Sequence, residues 1–213
     1  AATVSWLWTM STVTPDGGVS LAPYLVGLAG GFATSLMVIF SKKVRPGLIL
    51  TYGVFEGLFV GGISAYFEVI WPGVVSQAVL ATLAVTLAVL ILFSNGKVRT
   101  TPALTRAVFV AMLGYLVFSL ANLLLSWTGA IDGTFGMRSM EVAGIPLGLV
   151  IGGLAVLLAS YFLVMDFEEI QEGVRVGRPR EEAWLGAFGL MLTLVWMYVE
   201  MLRIIAIIRD WAE

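Results

Sequence analysis

Four residues combine ionisable chemistry with an apolar setting: Glu56, Asp166, Glu200 and Arg203. A charge at the centre of a bilayer costs about 2.5–3.5 kcal/mol or more, so it marks an ion path, a proton relay or a structural pair. Glu200 and Arg203 are three residues apart, a helical spacing that allows an ion pair. Their plainest role is to fix one helix. Glu56 and Asp166 have no such cation beside them in sequence. Because desolvation penalises the charged form of a carboxyl, the two can act as a proton-titratable gate. The plainer roles are a hydrogen-bonded structural acid for Glu56 and a solvated helix end for Asp166. As metal ligands, Asp166 and Glu56 suit only transiently held calcium, since that ion takes 6–8 oxygens. No other cofactor is expected.

Other chemistries are excluded by composition. The chain has no Cys and no His, so disulfides, thiolate nucleophiles, imidazole metal sites and a Ser-His-Asp arrangement are all absent. Lys42, Lys43 and Lys97 lie in loops, which leaves no amine within a helix for a retinal Schiff base. The formal net charge of -2 gives no reason to expect nucleic acid as a partner. No enzymatic activity is expected.

The elements that hold these residues follow from hydrophobicity. Of 213 residues, 59% are hydrophobic and 12% charged, and the mean hydropathy is +0.97. Soluble domains carry about 25% charged residues, so this composition predicts an integral membrane protein. About 20 helical residues cross a hydrocarbon core. Apolar stretches near 19–40, 48–70, 74–94, 107–127, 145–165 and 184–208 predict six complete spans, separated by Gly- and Pro-containing turns. The apolar residues 1–10 read as the tail of a further span, for seven in all. The fold class is therefore all-α, a polytopic transmembrane bundle within a single integral membrane domain, 1–213, and lipid is the expected partner. The last helix is apolar on nearly every face, which suits a central position. Small residues four apart, Gly27 and Gly31, Gly57 and Gly61, Gly148 and Gly152, predict close helix packing.

Loop charge sets the expected orientation. Loops 41–47, 95–106 and 167–183 hold nine of the twelve basic residues, while loops 11–18, 71–73 and 128–144 hold only Arg138. The basic side should be cytoplasmic, with the N-terminus inside, the C-terminus outside and the inner membrane as the location. Glu56 then lies roughly 12 Å from the cytoplasmic start of its helix and Glu200 about 24 Å, at 1.5 Å per residue. Asp166 ends its span at the cytoplasmic edge, and Glu68 with Trp71 falls at the outer boundary. The run 167–182, FEEIQEGVRVGRPREE, reads as a solvated amphipathic loop.

Several of these stretches are similar to a known family. YFLVMDFEEIQEG (161–173) and EEAWLGAFGLMLTLVWMYVEMLRIIAIIRD (181–210) resemble the last two helices of the Bax inhibitor-like (YccA, or TMBIM) family, and TYGVFEGLFVGGIS (51–64) resembles its early Glu-Gly helix. The branch it looks most like is the actinobacterial one. The resemblance implies six helices around a hydrophobic last one, and a pH-sensitive calcium leak gated by two aspartates on the last two helices. Asp166 matches the first of these acids, though Asp-Thr-Gln there reads Asp166-Phe167-Glu168. Aligning EMLRII on the closing Leu-Leu-Arg stretch puts Thr193 where the second aspartate belongs. Glu56, at a depth similar to Thr193, then becomes the partner expected for Asp166. The gating set is thus Asp166, Glu56, Glu200, Thr193 and Arg203. The competing expectation is a non-conducting scaffold or accessory subunit that binds other membrane proteins.

Overall fold

Proline and glycine punctuate the chain where the helices begin and end. In a computed structural model, which describes residues 1–13, 20–131 and 135–212, the helices are α1 (Ala2–Ser11), α2 (Ala22–Ile39), α3 (Pro46–Ile70), α4 (Val74–Ser94), α5 (Pro102–Trp127), α6 (Leu147–Val176) and α7 (Ala183–Ala212). Pro46 and Pro102 occupy first helical positions, where the missing N–H has no intrahelical partner to lose. The Thr101 hydroxyl caps α5 by accepting from the Leu104 N–H at 3.4 Å. At the other end of α3 the chain reverses through Trp71-Pro72-Gly73, with Gly73 at φ 86°. Glu68 makes that turn rigid, accepting from the N–H groups of Gly73 at 2.7 Å and Val75 at 3.2 Å. Its side chain therefore caps the positive N-terminal end of α4.

Six of these helices, α2 to α7, are long and apolar enough to cross a membrane. The expected spans are found with shifts at three places. α5 begins at Pro102, so Arg106 lies within it and not in a loop. α6 does not end near 165 but continues to Val176. The segment 167–176, expected as loop, is helical because its charges pair along one face: Arg175 donates to both oxygens of Glu172, at 2.6 and 2.7 Å. Gly177, at φ 69°, then stops the helix, with the Arg178 N–H bonded back to the Gly173 carbonyl at 2.9 Å. The connection 128–146 also holds structure that hydropathy does not show: a 3-10 turn (Gly136–Ser139) and a two-residue antiparallel pair, Glu141–Val142 with Ile145–Pro146. Positions 14–18 of the expected loop 11–18, and positions 132–134 of loop 128–144, lie outside the described residues.

The chain forms two compact units: residues 1–76 with 169–195, and residues 77–168 with 196–213. In the first, α1 and α2 pack along α3. The contact is backbone to backbone: a Cβ on Gly27 would lie 2.7 Å from the Phe59 Cα, and one on Gly61 would lie 2.9 Å from the Ala2 carbonyl carbon. Ser5 also donates to the Leu58 carbonyl at 2.6 Å. Small residues at four-residue spacing thus do what close packing in lipid requires. A hydrophobic cluster of Val38, Ile49, Tyr52 and Phe188 forms a core of this unit, with the Tyr52 and Phe188 rings edge to face at 4.8 Å. The second unit buries Leu158, Leu163, Met197, Leu202 and Ala206. Around that core its helices α4 and α5 expose apolar side chains such as Leu80, Val110 and Val117, as a lipid-facing surface must.

Candidate functional site

The second unit contains a buried ion cluster. Glu200, on α7, is 1% exposed and Arg138, from the 3-10 turn after α5, is 3% exposed. Arg138 Nη1 donates to Glu200 Oε1 at 2.7 Å. The other oxygen, Oε2, accepts from Arg203 Nη1 at 2.6 Å and from the Tyr115 hydroxyl at 2.8 Å. Arg138 Nη2 reaches the Tyr115 hydroxyl at 3.2 Å and Ser119 Oγ at 3.5 Å, with its guanidinium over the rings of Tyr115 and Phe118 at 5.5 and 5.7 Å. One carboxylate thus serves two guanidiniums.

The scaffold that holds this cluster is specific. Asn122, on α5, accepts from the Met137 N–H at 2.7 Å and donates to the Phe135 carbonyl at 3.3 Å, which fixes the turn that carries Arg138. On α6, Gly148 and Gly152 leave the space. A Cβ on Gly148 would lie 3.1 Å from that of Arg138, and one on Gly152 would lie 3.8 Å from Glu200 Oε1. The closer neighbours are Ile207 at Gly148 and Ile204 at Gly152, so the four-residue glycine spacing on α6 lets α7 pack closely beside the ion cluster.

Glu56 has a different environment, within the first unit. It is half-buried on α3, and its carboxylate borders Gly31 of α2: a Cβ there would be 3.2 Å from Oε2. No cation pairs with it among the described residues; the polar group that bears on it is the Tyr52 hydroxyl, one turn earlier. That hydroxyl is buried and has no well-formed hydrogen bond among the described residues. Thr193 belongs to the same unit, is 7% exposed, and donates to the Gly189 carbonyl at 3.1 Å, a bond internal to α7.

Asp166 belongs to the second unit, half-buried and well inside α6. Next to it, Glu168 accepts from the Thr100 N–H at 2.9 Å and from the Thr100 hydroxyl, while the Tyr161 hydroxyl meets that of Thr105 at 2.6 Å. Phe167 packs on Phe93 at 5.5 Å. The Asp166 turn of α6 is thus fastened to the segment that leads into α5. No three acidic side chains converge as a metal-holding group among the described residues.

Comparison with protein-family models gives a match to "Bax inhibitor 1 like" over residues 1–210. The chain belongs to that family. Comparison with curated proteins and with solved structures gives no match. Read as a Bax inhibitor 1-like membrane protein, the chain places its expected site residues in distinct settings. Glu200 and Arg203 pair as their spacing predicted. Glu56 and Thr193 fall in one unit and Asp166 in the other. Sequence reasoning missed Arg138 and Tyr115 as members of the cluster and Glu168 as a latch. Arg138 carried a usable signal, being the one basic residue in the otherwise uncharged-by-Lys/Arg set of loops. Tyr115 carried none.

Proposed function

We propose that this Bax inhibitor 1-like protein is a pH-sensitive cation leak, with calcium as cargo and Glu56 and Asp166 as its proton-sensing groups. Glu56 carries the reading: a carboxylate within a membrane-spanning helix with no ion-pair partner among the described residues. Such a group attracts a cation or a proton, and what it holds depends on pH. Glu200 is the contrast. Both its oxygens are taken by guanidiniums, so its role is structural and it is not the sensor. A carboxylate that stands nearly alone binds calcium weakly, which suits passage better than storage.

Purified protein in liposomes loaded with a calcium dye should admit calcium at a rate that changes between pH 6 and pH 8. A rate equal to empty liposomes at every pH would remove the leak reading and favour a non-conducting scaffold.

The orientation belongs to the same proposal. Loop charge puts 41–47, 95–106 and 167–183 in the cytoplasm of a bacterial inner membrane, and the C-terminus outside. Single cysteines at positions 43, 97 and 178, in a chain that has none of its own, should resist an impermeant thiol reagent in intact cells. Labelling at two of the three would reverse the topology.

A further inference from the structure

At the basic end of the first unit, a cleft of about 330 Å³ opens where α2 ends and α3 and α7 begin. Its floor is apolar, formed by Val38 and Leu48 of the cluster around Tyr52 and Phe188. Its rim is cationic, formed by Lys42, Lys43 and Arg45, all exposed. None of the three has a salt bridge among the described residues, and Glu182, the one acid lining the cleft, is drawn towards Arg178 at 3.8 Å. From this geometry we infer that the cleft binds the phosphate of an anionic membrane lipid, with an acyl chain lying on the apolar flank.

Loop charge alone does not account for this arrangement. In each of the other two basic segments some cations are engaged: Arg99 lies over the Phe93 ring at 4.1 Å, Arg175 is held by Glu172 and Arg178 by Glu169. Around 42–45, three charges in four residues border one cavity, and the acid that lines it, Glu182, is shared with Arg178. Lipid is favoured over a soluble phosphate because the apolar surface continues past the rim. Met37, Ile39 and Phe40, at the end of α2, are 58%, 60% and 80% exposed. That is where a spanning helix meets the headgroup layer, and a double-chained phosphate ester satisfies both surfaces.

The test uses the full chain in nanodiscs of phosphatidylcholine doped with phosphatidylglycerol, followed by native mass spectrometry of the extracted protein. Wild type should retain phosphatidylglycerol in preference to phosphatidylcholine. The Lys42→Gln/Lys43→Gln double variant should retain it about 25-fold less, at roughly five-fold per charge removed. A charge-matched control, Lys97→Gln/Arg99→Gln, should retain it as wild type does. The residues changed are exposed, and equal melting of all three proteins in phosphatidylcholine alone checks that folding is intact. Wild-type retention by the 42/43 variant would overturn the site, and an equal loss in the control would reduce it to general surface charge. In a separate arm, inorganic phosphate that displaces the lipid at millimolar concentration would make it a free-phosphate site.

Discussion

Glu200→Gln should lower the melting temperature of the purified protein by the order of 10 °C. Removing one partner of a buried ion pair costs about 3–5 kcal/mol, because the remaining charge stays desolvated without compensation. Here the loss is worse than for a simple pair. Glu200 is the shared anion of Arg138 and Arg203, and with Gln in its place two guanidiniums face each other across the Tyr115 hydroxyl. Arg203 is 27% exposed and can swing its long side chain towards water. Arg138, at 3% exposed and fixed by Asn122 through its turn, has no such freedom.

Arg138→Met should therefore be milder than Glu200→Gln, since Arg203 still neutralises the carboxylate. Combining Arg138→Met with Glu200→Met should restore much of the lost stability, as replacing a buried pair by apolar residues of similar size often does. Thermal melts of the three variants in one detergent read this directly. A Glu200→Gln protein that melts with the wild type would show that the cluster is dispensable to the fold.

The span pattern was legible because hydropathy and turn residues act locally. Six of the helices lie where apolar length put them, and the Glu200–Arg203 pair followed from spacing on one helix. The cluster as a whole was not legible. Arg138 and Glu200 are 62 residues apart, and no local periodicity joins a loop turn to a helix in the same unit. The sign of something unusual was Arg138 itself, a cation where the loop-charge rule expects none. The helical extension 167–176 was hidden for another reason. Its mixed charge reads as loop by composition, yet Glu172 and Arg175 at i,i+3 support a helix that continues into water. Gly148 and Gly152 were legible as packing positions, and Ile207 and Ile204 of α7 fill the space beside them.

Substituting Glu56 should change the pH response of calcium flux more than any other single change. Gln copies the shape of a protonated carboxyl and cannot lose its proton. If Glu56 senses pH, the Glu56→Gln protein at pH 8 should carry calcium at the rate the wild type approaches at the acid end of the range, and the slope between pH 6 and pH 8 should flatten. The Tyr52 hydroxyl bears on the same carboxylate, so Tyr52→Phe should shift the midpoint of the pH response while leaving its amplitude intact. Asp166→Asn tests the other acid independently. As a second sensor it should also flatten the response; as a helix element beside the Glu168–Thr100 latch it should change stability and leave the slope alone. Glu200→Gln, examined below its melting temperature, should keep the wild-type slope, because the Glu200 carboxylate serves the Arg138 and Arg203 guanidiniums. A Glu56→Gln protein that conducts and titrates like wild type would move the sensor elsewhere, and an Asp166→Asn protein that alone loses the response would name where. Each variant's flux is normalised to its own rate at a reference pH, so a difference in slope reports the acid that was changed and not the amount of protein reconstituted.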